Sequence, residues 1–400
     1  MRMGPEAERR QRHLEMDRPP YEVAGALERF DERDNVQARY DLSPGSETWK
    51  EYYALHPERE EPDLATKQQP GIGMVGDPQD GLLLATLGMA VRMLSNEEVV
   101  DGISFPMKQE LIPERAQEKV KGAAYFLGAD LVRTGPLNPA WVYTHVGKGK
   151  MSGAEVGAPI DLPHHHAVTI AVGIDQGLVR TGPVLAEIIG VVGVYQRLAL
   201  ISTTLAMYIR MLGYAARAHN LWDYQVLCVP VAVDAGMGEL SRSGLMINRD
   251  LGNCLKLAVV TTDLPLAHDR PVDPKVREFC EECRICVDYC PAGAIPRTEP
   301  KVVRGIRKWA IKSEACYDFH MKTGTDCGLC MAVCPWTKPL SPSHEVGRRI
   351  AVRGKTGAKF LLAMEKLFYG EFKPQEPPSW FEEPDKGWLE DLRWNKKSRG

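Results

Sequence analysis

Eight cysteines in the C-terminal half constrain this chain more than any other feature of its sequence. They form two runs, Cys280, Cys283, Cys286, Cys290 before Pro291, and Cys316, Cys327, Cys330, Cys334 before Pro335. The spacing C-x2-C-x2-C-x3-C-P is typical of chains that hold [4Fe–4S] clusters, and its fourth cysteine ligates the other cluster of a pair. Two such runs predict two clusters and therefore a protein that moves electrons one at a time.

The same rule predicts which thiolates share a cluster. The expected sets are Cys280, Cys283, Cys286 with Cys334, and Cys316, Cys327, Cys330 with Cys290. The second run is irregular, because Cys316 lies well upstream of its partners and its loop must fold back. Zinc sites and disulfides are the alternatives. Zinc tetrads usually come as two separated C-x2-C pairs, and disulfides would not explain C-x3-C-P twice.

Length and charge narrow the class of protein. A chain of 400 residues exceeds what one hydrophobic core usually organises, so two or more structural units are expected. A net charge of −3 gives no excess of positive charge with which to bind nucleic acid or an anionic membrane surface. Cluster thiolates favour a reducing compartment, which predicts a cytoplasmic protein. Cys228 and Cys254 lie in apolar stretches and are expected to pack as small hydrophobic residues.

The apolar stretches and the N-terminus predict no membrane segment. The most apolar run, 81–94, is short and contains Arg92. Residues 1–22 are charged throughout, and no apolar run follows Arg9 and Arg10. Neither a secretory signal nor a twin-arginine leader is therefore expected.

Hydrophobic periodicity predicts a mixed α/β (α+β) chain in four parts. The expected parts are an N-terminal arm with helices over 1–110, an α/β core over 111–268, a two-cluster module over 269–340 and a wrapping tail over 341–400. Helices are predicted within 82–100, 113–130 and 191–212, and strands at 131–132, 166–173, 227–232 and 255–262. His164, His165 and His166 alternate faces if extended, so they are read as the polar start of a strand and not as a metal site.

The order of these elements resembles the corrinoid-dependent reductive dehalogenases. The resemblance is strong at 207–214 (MYIRMLGY), at 235–244 (AGMGELSRSG) and at 262–266 (TDLPL), which leads into the first cysteine run. Earlier matches lie at 28–34, 49–53, 126–132 and 141–143. The resemblance implies a nitroreductase-like core that holds cobalamin, a ferredoxin-like module with two [4Fe–4S] clusters, and reductive removal of halogen from an organohalide.

The resemblance also implies how the cofactor is held and reduced. The chain has no D-x-H-x-x-G signature, so cobalamin is expected base-off, without a protein histidine below the metal. A lysine at position 256 and the lack of a leader resemble the soluble, catabolic branch of the family. No fused flavin reductase module is recognised, which implies an external reductant such as ferredoxin or flavodoxin.

Two residues are expected to carry the proton transfer. Tyr195 aligns with the family's tyrosine proton donor, and Lys256 falls at the basic position that accompanies it. Because a nearby cation favours the tyrosinate form, Lys256 is expected to make the phenol a better acid.

Other pocket residues are less sharply indicated. A glycine- and serine-rich loop is suited to cradling the corrinoid's nucleotide tail or amides, through Gly236, Gly238, Ser241 and Arg242. Asn220 and Asp223 are both candidates for the asparagine that some members place in the pocket.

Two competing functions share part of this pattern. An epoxyqueuosine reductase has the same cobalamin and paired-cluster plan, but it uses an aspartate as acid and ends in a helical repeat, which this chain lacks. A ferredoxin-type carrier without corrinoid would leave most of the sequence before the clusters unexplained.

Overall fold

The computed structural model describes residues 4–149 and 151–381. Its helices are α1 Gly4–Gln11, α2 Val36–Asp41, α3 Glu47–Leu55, α4 Pro57–Lys67, α5 Pro78–Leu94, α6 Glu97–Val100, α7 Pro113–Leu127, α8 Gln176–Val179, α9 Leu185–Met211, α10 Cys228–Asp234, α11 Val276–Glu282, α12 Ile285–Asp288, α13 Ser313–Thr323, α14 Leu329–Ala332, α15 Pro342–Ala351 and α16 Gly354–Tyr369. Its strands are β1 Glu22–Val23, β2 Leu131–Pro136, β3 His166–Gly173, β4 Ala216–His219, β5 Glu239–Leu240, β6 Met246–Ile247, β7 Leu255–Thr262, β8 Lys301–Val303 and β9 Ile306–Lys308.

A four-stranded antiparallel sheet in the order β2-β3-β7-β4 forms the centre of the fold. The predicted strands at 166–173 and 255–262 are confirmed as its two inner strands, β3 and β7. Their β-branched residues suit a sheet that is buried on both faces. Lys256 lies near the start of β7, opposite Val172 of β3.

The long helix α9 packs against β7 and α5. It is apolar nearly all round, which is typical of a buried helix, and Leu198, Leu205 and Ile209 are fully buried. It begins at Leu185 and not at 191, so Tyr195 lies well inside the helix and not in its first turns. By length and composition α9 could cross a membrane, but 56% of its most apolar window is buried inside the fold.

The strand predicted at 227–232 is wrong, because this segment forms the short helix α10. A short apolar run rich in valine does not distinguish a strand from a buried helix by its periodicity. Pro230 lies in the first helical turn, where its missing N–H breaks no hydrogen bond. The helix buries Val231 and Ala232 against the central sheet.

The C-terminal segment is more helical than its proline content predicts. Helices α15 and α16 pack against each other, and α16 packs against α11. Residues beyond α16 then return toward the core, where the Gln375 N–H donates to the Arg180 carbonyl. Trp380 is 62% exposed, and the tryptophans noted at 388 and 394 lie outside the described residues.

Candidate functional site

The four thiols of the first predicted set line one cavity. Its lining includes Cys280, Cys283, Cys286 and Cys334, together with Cys330 of the second set, and it does not include Cys290. Helices α11 and α12 supply the first three, and the chain that leaves α14 brings in the fourth. Burial and the neighbouring thiols of the first run raise the pKa of Cys334 well above its usual value. The fold thus brings together the thiols that the crossed pattern assigns to one cluster.

The second set converges beside α13 and α14. Burial and the thiols of Cys286, Cys316 and Cys290 raise the pKa of Cys330 well above its usual value. Burial and Cys290 raise the pKa of Cys316 to about 11. Crowded thiols of this kind fit a cationic iron–sulfur cluster, because a coordinating metal deprotonates them.

The alternatives to clusters find no support in this geometry. All ten cysteines lie in the described part of the chain, and none forms a disulfide. Within residues 4–149 and 151–381, no three His, Cys, Asp or Glu side chains are arranged to hold a single metal ion. Cysteines spread around a cavity suit a cluster better than a mononuclear zinc ion.

The fold brings Tyr195 and Lys256 together. The Lys256 ammonium lies 5.5 Å from the centroid of the Tyr195 ring. Lys256 keeps 16% of its side chain exposed, and Tyr195 is half-buried, so the pair retains a face that a reacting group can approach. Helix α9 supplies the phenol and β7 supplies the amine, and the packing of α9 on β7 sets their separation.

Lys256 also connects this pair to the second cysteine set. Its ammonium lies 4.0 Å from Oδ2 of Asp326, the residue before Cys327. Glu187, fully buried on α9, is the next carboxyl group in this cluster. The backbone of the cysteine run approaches it closely, because a Cβ added to Gly328 would lie 2.3 Å from its Oε1. Gly328 has a φ of 65°, so glycine is required there for conformation as well as for space.

The side chains of Glu187, Asp326, Lys256 and Tyr195 influence one another's charge. Burial, reinforced by Asp326, raises the pKa of Glu187 well above its usual value, which favours the uncharged form of this carboxyl. Burial opposes the charge on Lys256, but Tyr195 and the two carboxyl groups outweigh it and raise the pKa of that lysine. The Asp326 carboxylate and the Lys256 ammonium therefore form a partly exposed ion pair.

The acidity of Tyr195 reflects two opposed effects. Burial raises the pKa of its phenol, and the Lys256 charge lowers it, with burial the stronger of the two. Lys256 therefore acts in the predicted direction but does not make this phenol more acidic than a free tyrosine. The Lys256 charge limits the rise in the pKa of Tyr195 that burial alone would cause.

The predicted corrinoid loop packs against the first cysteine segment. Arg242 is buried, donates to the Cys280, Pro296 and Thr298 carbonyls, and lies over the Trp309 ring. The backbones at Gly236 and Gly238 face other chain segments at contact distance, and Ser241 lines the first cavity. Arg242 thus has a structural role beside the first cysteine set, and a corrinoid role for this loop stays a prediction.

The other polar residues considered in the sequence analysis form hydrogen bonds or ion pairs with other parts of the fold. Asn220 accepts a hydrogen bond from Ser95, and Asp223 pairs with Arg217 at 2.6 Å. The histidine triplet does not converge on one point, because His164 bonds to Thr261 whereas His166 bonds to His268.

Sequence reasoning missed three residues beside the second cysteine set, namely Glu187, Asp326 and His320. His320 Nε2 lies 3.4 Å from the Cys316 sulfur. Asp326 could have been suspected because it directly precedes Cys327. Glu187 carries no local signal, since only the packing of α9 brings it to the site.

Comparison with known proteins gives a domain match, sequence relatives and a solved structure with a similar fold. A family described as 4Fe-4S dicluster domain matches residues 279–338. The tetrachloroethene reductive dehalogenase of Dehalobacter restrictus is 33% identical over 279 residues, 59% of this chain and 50% of that protein. The corresponding enzyme of Sulfurospirillum multivorans is 31% identical over 257 residues, 56% of this chain and 51% of that protein. A catabolic reductive dehalogenase solved with 3-bromo-4-hydroxybenzoic acid shares the fold, with a TM-score of 0.71 and 23% identity over 88% of this chain and 48% of that one.

The sequence relatives, the fold and the dicluster domain all support the predicted reductive dehalogenase family. The chain spans about half the length of the relatives it matches. The predicted mixed α/β fold with a ferredoxin-like module is confirmed. This family implies iron–sulfur clusters, for which the cysteine geometry is suited, and a corrinoid.

Proposed function

We propose that this protein is an oxidoreductase that replaces a halogen of an organohalide with hydrogen. The reaction takes up two electrons and one proton and releases a halide ion. Two [4Fe–4S] clusters, held by the crossed cysteine sets, pass the electrons singly. A base-off cobalamin, when bound, supplies the cobalt that reacts at the carbon–halogen bond.

One observation carries this proposal. Lys256 contacts the Tyr195 ring on one side and Asp326, next to the second cysteine set, on the other. A proton donor therefore lies beside the place where electrons leave the clusters. A simple electron carrier has no need of this arrangement, because its task ends with the electron.

The roles of the two side chains follow from their surroundings. Tyr195 holds a proton at its Oη, and burial keeps that proton in place until a strong base forms nearby. The Lys256 charge stabilises the tyrosinate left after the transfer. Asp326 holds the ammonium against the phenol ring.

The supply of electrons and the location of the protein are also proposals. We infer an external one-electron donor such as ferredoxin or flavodoxin, because [4Fe–4S] clusters take up electrons singly. A reducing cytoplasm would suit thiolates that must stay free to bind iron.

The test is halide release by anoxically purified protein with reduced viologen, screened over halogenated phenols and alkanes. Tyr195→Phe removes one hydroxyl and little volume, so the fold should survive. Turnover should fall by roughly 10²–10⁴-fold, the usual contribution of a positioned proton donor. Tyr208→Phe, on the same helix, is the matched control. Parent turnover in Tyr195→Phe at equal iron and cobalt content would remove Tyr195 from the mechanism.

A further inference from the structure

Unpaired hydrogen-bond donors gather around the first cysteine set. Trp336 Nε1, Trp309 Nε1 and two guanidinium nitrogens of Arg348 are buried without a hydrogen-bond partner. Trp336 lines the cavity that Cys280 and Cys334 share, and Trp309 packs in the same apolar cluster. Buried donors are normally paired. Donors left unpaired beside a cavity therefore indicate that an acceptor fills it.

Two buried arginines place positive charge at this set. Arg242 donates two hydrogen bonds to the Cys280 carbonyl, at 3.0 and 2.8 Å, and is 1% exposed. Arg348, 6% exposed, donates to the Trp336 and Lys338 carbonyls from the other side. A guanidinium stays charged in proteins, and the low dielectric of the interior strengthens its field.

Among the described residues, no carboxylate forms an ion pair with Arg348. Glu345 and Asp250, which act on its charge only through space, both pair with Arg249. None of the ion pairs among the described residues includes Arg348. A buried cation without a counter-ion is costly, so its retention favours a negative group nearby.

The second cysteine set has no such excess of buried positive charge. Lys256 pairs with the Asp326 carboxylate there, and Glu187 and His320 lie beside them. Reduction adds one negative charge to a cluster, so cations and N–H donors stabilise the reduced form and carboxylates oppose it.

We propose that Arg348 and the Trp336 indole N–H, together with Arg242, hold the reduction potential of the first cluster above that of the second. The first cluster is then reduced by the external donor before the second cluster, and it holds the electron until a further acceptor draws it through the second cluster. One electron leaves the donor and one enters the cluster, with no bond broken and no proton moved. This inference rests on the proposed function only for the presence of the two clusters.

The test is a redox titration of the anoxically purified holoenzyme followed by electron paramagnetic resonance. The wave that Cys283→Ser displaces belongs to the first cluster. Arg348→Gln should lower the ratio of reduced to oxidised first cluster about tenfold at a fixed potential, equivalent to about 59 mV for one electron. Trp336→Phe, which removes only the indole N–H and some volume, should shift the same wave in the same direction. The second wave should stay in place in both variants.

Arg349→Gln is the matched control, because Arg349 is the next residue on α15 and 72% of its side chain is exposed. It should leave both waves unchanged. An unmoved first wave in Arg348→Gln and Trp336→Phe, or equal movement of both waves, would overturn the proposal. If Arg348→Gln takes up no iron, Trp336→Phe decides alone by the same criterion.

The outcome is independent of dehalogenation, because the titration uses no organohalide. Two separated waves that respond as expected, in a protein that releases no halide, would remove the proposed function and leave this inference standing. If the enzyme releases halide but the redox waves do not respond in the variants, the proposed function would stand and this inference would be wrong.

Discussion

The two cysteine runs share a motif but lie in different surroundings. Buried arginines and tryptophans enclose the first set, and the Glu239 carboxyl lies at the start of its helix α11. The second set adjoins the carboxyls of Glu187 and Asp326 and the Lys256–Tyr195 pair. A repeated ligand pattern therefore predicts two cofactors, whereas the flanking side chains differ. We propose on this basis that the first set receives electrons and the second delivers them.

The largest effect should come from breaking the pairing between the runs. Cys334→Ser should perturb the cluster held by Cys280, Cys283 and Cys286, although residue 334 belongs to the second run. Iron analysis and electron paramagnetic resonance measure the change, against about eight irons in the parent. If only the cluster of Cys327 and Cys330 responds, the crossed ligation is wrong, and four irons in the parent would remove the two-cluster assignment.

A smaller effect is expected when a lysine is replaced, and it should depend on which cysteine set the lysine lies beside. Lys256→Met should slow halide release, and its effect should not add fully to that of Tyr195→Phe, because both act on one proton transfer. Lys275→Met, beside the first cysteine helix, should leave turnover at the parent rate. Additive losses in the double variant would mean that Lys256 and Tyr195 act separately.

A pH-dependent effect on stability should arise at the first region through Glu239. Glu239 accepts a hydrogen bond from the Val276 N–H at the start of α11, and burial raises its pKa to about 8. The folded state therefore holds a proton that the unfolded chain loses near its ordinary value, and stability falls as pH rises through that window, by at most about 1.4 kcal/mol per pH unit. Glu239→Gln should flatten this decline in thermal unfolding scans from pH 5 to 9. A variant that declines as steeply as the parent would locate the titration elsewhere.

The smallest effect should come from an exposed pair near the first set. Lys359 lies 3.7 Å from Glu282 and 69% of its side chain is exposed. Exposed ion pairs contribute about 0–1 kcal/mol, so Lys359→Ala should barely change the thermal midpoint. A loss comparable to that of a core substitution would show that α16 depends on this pair to hold α11.

The sequence by itself determined the features that local rules encode. Cysteine spacing determined two ligand runs, and β-branched stretches determined the inner strands β3 and β7, because thiolate geometry and side-chain alternation act over a few residues. Resemblance pointed to Tyr195 and Lys256, which the structure places together. The helix at Cys228–Asp234 was missed because its short apolar run fits either element, and the packing around it decides.

Only the tertiary structure decided what surrounds each cysteine set. Glu187 reaches Asp326 because α9 packs on β7, and Arg348 on α15 reaches the carbonyl of Trp336, a residue that lines the first cavity. Arg242, read as part of a cofactor cradle, instead fixes the first cysteine segment by bonding to its carbonyls. These contacts join residues far apart in sequence. Their charges act through space in a low-dielectric interior, so no local pattern of residues could reveal them.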